Sequence, residues 1–187
     1  MIYSWKKIVK HGIPILLIAV LIEILAGQVL QGNKEMLLAI PIFLICIPVI
    51  NSVAGNIGTV LGARLTSGLH VGYIKISLKD KEMHQNLATS LLMGFLTYFI
   101  LAIVIYYVGV FGKITNNIGI AMFVGIVILT GFLLIIVVAI ISILTAFISF
   151  KRGLDPDDMV APVVTTVGDV MGILFLFIII GILGVGI

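Results

Sequence analysis

Charge is scarce in this chain. Aspartate, glutamate, lysine and arginine make up only 10% of its 187 residues, whereas hydrophobic residues make up 61%. A soluble domain of this size needs much more charged surface, so the composition excludes an ordinary globular domain. The apolar residues form repeated runs that are long enough to cross a bilayer. These runs predict an all-α, polytopic membrane protein with lipid as a partner.

Cysteine and the usual catalytic patterns are also nearly missing. Cys46 is the only cysteine, so the sequence offers neither an intrachain disulfide nor a cysteine metal site. It has no phosphate-binding loop, no His-x-x-x-His pair and no nucleophile with a neighbouring base, which argues against an enzyme. Few basic residues lie together with aromatic ones, which argues against nucleic acid as a partner.

Five apolar stretches predict five transmembrane helices in a single domain of residues 1–187, with no soluble regulatory domain. We place the spans at residues 12–31, 36–64, 88–111, 118–150 and 158–187. Nine of the eleven lysine and arginine residues then lie on the side of the N-terminus. The positive-inside rule therefore puts the N-terminus in the cytosol and the C-terminus outside. The cytosolic segment 65–87 is predicted to include an interfacial or extended helical piece.

The second span carries small and polar residues along one helical face, at Pro48, Ser52, Gly55, Thr59 and Gly62. Proline cannot donate a backbone hydrogen bond, so we predict a break at Pro48 that frees carbonyl oxygens beside a cavity. Taken alone, the glycines favour close helix packing. Asn51, Asn56 and Thr59 together favour the lining of a cavity or pore, with Ser52 and Gly55 beside them.

Asp169 is the most informative residue, because a carboxylate inside an apolar span is costly. It follows Asp157 by 12 residues, or roughly 18 Å of helix, which places it near the middle of the bilayer. Thr165 and Gly172 share one helical face with it, and Pro162 and Thr166 share another. A role in cation passage is the leading hypothesis, and a structural hydrogen bond from a protonated Asp169 is the alternative.

Glu23 is the second acidic residue inside a predicted span, with Gly27 and Gln31 on its face of the helix. A cation or proton site at Glu23 and a structural bond to the second or fifth span are equally good interpretations.

The candidate ligands are carboxylate, amide, hydroxyl and backbone carbonyl oxygens. Such hard donors suit Mg²⁺, with Mn²⁺ or Ca²⁺ as alternatives. One subunit supplies too few of them for a dehydrated ion, whereas a hydrated Mg²⁺ needs only one or two carboxylates. A two-fold axis near Asp169 would supply two carboxylates to one ion. In addition, the five spans of one protomer are few for enclosing a pore. We therefore predict a homodimer.

Two stretches resemble the MgtE and SLC41 magnesium transporters. The first runs from Pro48 through Gly55-Asn56 to Arg64, and the second from Asp155-Pro156 through Pro162 and Thr165-Thr166 to Asp169. The Gly-Asn followed by Ala-Arg-Leu is closer to the SLC41 branch, and the resemblance covers nearly the whole chain.

The resemblance implies a dimeric divalent-cation channel or transporter of the cell membrane. By this analogy Asp169 holds hydrated Mg²⁺, and Asn56, Thr59, Thr165 and Thr166 are polar pore-lining positions. Bacterial MgtE proteins carry cytosolic sensor domains that this sequence does not show, and SLC41 proteins join two such modules.

Three functions are compatible with the sequence. The first is a passive Mg²⁺ path, and the second is an exchanger coupled to Na⁺ or H⁺ through Glu23. The third is a non-transporting membrane scaffold whose polar residues only join helices.

Overall fold

A computed structural model describes residues 5–77, 79–115 and 118–184 of the chain. These residues form helices and connecting turns, and no strand occurs among them. The helices are α1 (Trp5–Gly32), α2 (Lys34–Ala39), α3 (Ile42–Val71), α4 (Lys81–Phe111), α5 (Ile120–Lys151) and α6 (Pro156–Ile182). All except α2 are long and apolar enough to cross a membrane, so the prediction of five helical spans is confirmed.

The structure moves the boundaries of the second and third spans. The second prediction began at residue 36, but the chain there forms the short helix α2, and α3 begins only after Pro41. At its other end α3 continues to Val71, and α4 already begins at Lys81. The interfacial piece predicted within 65–87 is therefore an extension of these two helices, joined by residues 72–80. Polar residues end a hydropathy run without ending a helix.

The predicted helix break at Pro48 is wrong, because Ile42–Val71 is one continuous helix. Pro48 removes one backbone donor, which deprives a single carbonyl group of its usual partner. The Pro48 ring is exposed, so it does not press on a neighbouring helix. A bond from another helix supports α3 close by, where the Tyr98 hydroxyl group donates to the Ile50 carbonyl oxygen at 2.7 Å.

Helices α3, α5 and α6 pack against one another in the centre of the protein. Helix α4 covers α3 and α5, whereas α1 packs against α6. Polar side chains help to hold the centre together, since the buried Ser142 hydroxyl group of α5 donates to the Gly58 carbonyl oxygen of α3 at 2.7 Å. Inter-helix hydrogen bonds of this kind stabilise helix pairs in lipid, where water is missing as a competitor.

The turn between α3 and α4 is held by Asp80, which caps the N-terminus of α4. Its Oδ1 accepts from the Met83 amide at 3.0 Å and its Oδ2 accepts from the Lys75 amide at 3.2 Å. The hydrogen bond from Met83 is the main cause that lowers the pKa of the Asp80 carboxyl group. Since a lowered pKa favours the ionised form, this cap stabilises the fold above the unfolded pKa and weakens as pH falls through the folded pKa.

Candidate cation site

Helices α3 and α6 run antiparallel and approach closely where α3 has glycine. Because Gly55 has no side chain, Thr165 of α6 lies directly against it, and a Cβ there would come within 3.2 Å of the Thr165 Cγ2. A Cβ at Gly168 would lie 3.9 Å from the backbone nitrogen of Gly55, in ordinary van der Waals contact. Two glycines facing each other allow the helix backbones to approach, as is typical of transmembrane helix pairs. This crossing fixes which polar groups of α3 and α6 lie side by side.

Asp169 lies next to this crossing, at the midpoint of α6. Its side chain is only partly buried in the protomer. Asn51 of α3 is 7% exposed, and its Nδ2 donates to the Asp169 carbonyl oxygen at 3.2 Å. The only acidic residue of α6 at membrane depth is thus paired with the most buried amide of α3.

A row of polar groups remains uncovered on the other side of the crossing. Ser52 and Asn56 of α3 and Thr165 of α6 are exposed in the protomer, and Thr59 is half-buried. The Thr59 hydroxyl donates to the Gly55 carbonyl at 2.8 Å, and the Thr165 hydroxyl donates to the Ala161 carbonyl at 2.9 Å. Since these protons point at the helices, the oxygen lone pairs remain available to a cation or to its water.

Thr166 lies on a different side of α6 from Thr165, because neighbouring residues on a helix are about 100° apart. It is only 4% exposed, and its hydroxyl group lies 3.5 Å from the Glu23 Oε1 of α1. Glu23 itself is exposed in the protomer, and Thr166 lies about one helical turn before Asp169 on α6. Of the interpretations of Glu23, a bond to the fifth span is the one for which the structure shows a contact. A cation or proton site at Glu23 stays a prediction.

The donors gathered around Asp169 are carboxylate, hydroxyl and amide oxygens. In the described part of the chain, no three His, Cys, Asp or Glu side chains lie close enough to share a metal ion. The described residues of one protomer therefore form no dehydrated cage, and Asp169 with the neutral oxygens beside it is a donor set for a hydrated cation. Such a donor set suits a hard divalent ion that keeps much of its water.

The comparison with protein families agrees with this chemistry. The family model for the MgtE divalent cation transporters matches residues 47–179, which is well over half of the chain. The chain belongs to the MgtE family. It is a multi-pass membrane protein of a family that transports divalent cations. No curated protein matches the chain.

The MgtE match covers nearly all of this polar surface. It includes most of α3 and α6, and with them Asn51, Asn56, Thr165 and Asp169. It begins after α1 has ended, so Glu23 lies outside the matched region. The match thus shows the family, and it assigns no role to individual residues of α1, α3 or α6.

The sequence indicated most of these residues but not their arrangement. Thr165, Thr59, Asn56 and Asp169 were predicted as one group with Thr166, whereas the structure turns Thr166 toward α1. The contribution of Gly168 was missed, although a glycine directly before an acid in an apolar span is a usable signal for close packing. The pairing of Asn51 with Asp169 left no signal in the sequence, because it depends on the relative position of two helices.

Proposed function

We propose that this protein passes Mg²⁺ across the cell membrane through a path that two copies of the chain form together. Asp169 of each copy attracts the ion and holds it through its water shell. Ser52, Asn56, Thr59 and Thr165 supply neutral oxygens along the path. The proposal makes the protein a homodimer with its N-terminus in the cytosol.

One observation carries this proposal, namely the uncovered polar row beside Asp169. Ser52, Asn56 and Thr165 are exposed at the depth of the membrane, where lipid cannot form hydrogen bonds with them. Polar groups at this depth face either a protein partner or water. A second copy placed against the row would remove the groups from lipid and would enclose an aqueous path between the copies.

The choice of Mg²⁺ rests on the number of donors as well as on their type. Mg²⁺ loses its water reluctantly and is usually held by one or two carboxylates together with several waters. Two Asp169 side chains related by a two-fold axis match that pattern. Ca²⁺ usually takes six to eight oxygen ligands, often from several carboxylates, whereas Asp169 is the one carboxylate assigned to this row.

Mg²⁺ uptake into proteoliposomes tests the path directly. We expect the wild-type protein to take up Mg²⁺ down its concentration gradient, with the same initial rate whether or not a Na⁺ gradient is present. Empty liposomes provide the baseline, and a fluorescent Mg²⁺ indicator inside the vesicles reports the rate. Uptake that stops when the Na⁺ gradient is removed would contradict a passive path and favour a coupled exchanger.

Cysteine cross-linking tests the arrangement of the two copies. In a Cys46→Ala background, Ser52→Cys is expected to form a covalent dimer under mild oxidation in membranes, because the proposed path brings the two Ser52 positions near the axis. Leu96→Cys is the control, since Leu96 is exposed on α4, a helix that supplies no residue of the polar row. Electrophoresis without reducing agent gives the dimer fraction. Equal cross-linking of both variants, or of neither, would contradict the arrangement.

A further inference from the structure

Glu23 is a charged residue that has no role in the path along α3 and α6. It lies near the middle of the Gly12–Gly32 span and is exposed in the protomer. The groove beside it, between α1 and α6, is a cavity of about 230 Å³ lined almost entirely by apolar groups. A carboxylate at this depth is costly unless it meets water, a cation or a donor. The residues around Glu23 therefore decide its role.

Polar groups from three helices meet around the middle of α6. Glu23 comes from α1, Asp169 from α6 and Asn51 from α3, and Thr166 bridges toward Glu23 with its hydroxyl group 3.5 Å from the Glu23 Oε1. Asp169 lies three residues beyond Thr166 on α6, and neither the Gly12–Gly32 span nor α6 contains a lysine or an arginine. Two neighbouring acids without a basic partner are well suited to share a cation.

Asn51 gives an independent indication of a ligand at this place. Its side chain is 7% exposed, and its Nδ2 is used by the Asp169 carbonyl oxygen. Its Oδ1 is buried and has no hydrogen-bond partner among the described residues. The Oδ1 lies against Gly172, less than one helical turn beyond Asp169. A buried acceptor without a donor costs about 1–3 kcal/mol, and a hydrated cation at the neighbouring carboxylate supplies donors through its water.

We infer that Glu23 and Asp169 of one protomer hold a divalent cation between them, in a site on α1 and α6 that lies beside the path between the two copies. The inference rests on the proposed function and extends it to a residue outside the MgtE match. Glu23 contacts the ion or its water, and Thr166 orients the Glu23 carboxylate. Because each copy has its own pair of acids, each copy takes up its own ion before the ion reaches the shared path.

The competing interpretation is structural, with Glu23 serving only as an acceptor for the Thr166 hydroxyl group. Two substitutions separate a cation site from a structural bond. Glu23→Gln keeps an oxygen acceptor of the same shape and loses the charge, so it weakens a cation site and leaves a structural bond in place. Thr166→Val removes the bond and keeps both charges, so it harms a structural role more than a cation site. Glu35→Gln is the matched control, because Glu35 is an exposed acid of α2.

The experiment measures Mn²⁺ binding by electron paramagnetic resonance on the full chain in lipid nanodiscs, with Mg²⁺ as competitor. Glu23→Gln is expected to weaken Mn²⁺ binding by about tenfold or more, since affinity follows the number of charged ligands. Thr166→Val should lose less of its affinity for Mn²⁺, and Glu35→Gln should bind Mn²⁺ as tightly as the wild type. Glu23→Gln should also raise, by a similar factor, the Mg²⁺ concentration at which uptake reaches half of its maximal rate.

The outcomes distinguish this inference from the proposed function. If Glu23→Gln binds Mn²⁺ and takes up Mg²⁺ like the wild type while Asp169→Asn does neither, the Glu23 site is overturned and the path remains. Thr166→Val could also weaken Mn²⁺ binding as much as Glu23→Gln does, or more. That result would overturn the Glu23 site in favour of the structural bond. Loss of a Na⁺ dependence in Glu23→Gln, with unchanged Mn²⁺ binding, would overturn the divalent site and show that Glu23 takes Na⁺. Normal uptake in Asp169→Asn would overturn the path itself.

Discussion

Replacing Asp169 with asparagine is expected to reduce Mg²⁺ uptake by at least roughly a hundredfold while the protein still folds. Two unit charges 4 Å apart attract by roughly 4 kcal/mol at an effective dielectric constant of about 20, and a doubly charged ion feels more than that. Every 1.4 kcal/mol or so corresponds to about a factor of ten, so losing this attraction in both copies leaves little transport. Asparagine has the same shape and keeps one oxygen acceptor, which isolates the effect of charge.

The measurement is the initial rate of Mg²⁺ uptake into proteoliposomes that contain equal amounts of wild-type and variant protein. Glu35→Gln is the control, because it removes an exposed carboxylate of α2, outside the spans. Size-exclusion chromatography should show the same assembly for all three proteins. Uptake by Asp169→Asn at the wild-type rate would remove Asp169 from the path. A failure to assemble would instead favour the scaffold hypothesis.

The number of membrane helices could be read from the sequence because the bilayer sets it. An apolar run of about 20 residues matches the thickness of the hydrocarbon core, and all five runs appear as helices in the structure. The ends of α3 and α4 could not be predicted in the same way. Beyond Arg64 the chain becomes more polar, so hydropathy no longer predicts a span there. The backbone nevertheless remains helical to Val71. Hydropathy indicates which residues lie in the lipid core, whereas the ends of a helix depend on local caps such as Asp80.

The candidate site was predictable in its residues and not in its geometry. Asp169 and Glu23 stand out because a charge in an apolar run is costly and therefore rare. The sequence could not say that Glu23 meets α6, because hydropathy gives the length of a span and not the helix against which the span packs. The adjacent residues Thr165 and Thr166 illustrate the same limit. Only the position of α3 and α1 on either side of α6 decides which of them meets Gly55 and which meets Glu23.

Replacing Gly58 with alanine is expected to destabilise the protein by about 1–3 kcal/mol, the usual cost of inserting a methyl group into a well-packed core. A Cβ at this position would overlap with two methyl groups at once, the Cγ1 of Val138 on α5 and the Cγ1 of Val164 on α6. Valine is restricted at χ1 in a helix, so neither side chain can turn away cheaply. The strain has to be relieved by moving α5 or α6 away from α3.

The effect should reach transport because Val164 lies only five residues before Asp169 on the same helix. A displacement of α6 by a fraction of an ångström changes the crossing at Gly55 and the contact between Asn51 and Asp169. We therefore expect Gly58→Ala to lower the temperature of thermal unfolding in detergent and to slow Mg²⁺ uptake in the same protein. Gly125→Ala is the matched control, since nothing lies within 4 Å of a Cβ at Gly125 of α5.

Alanine is the better helix former by up to about 1 kcal/mol, so Gly125→Ala should leave the protein as stable as the wild type or slightly more stable. The contrast between the two substitutions is what matters, because both remove a glycine from a transmembrane helix. If Gly58→Ala unfolds at the same temperature as Gly125→Ala, the close packing of α3 on α5 and α6 is wrong. The position of Asp169 beside Asn51 would then lose its structural basis, because the same packing holds both residues in place.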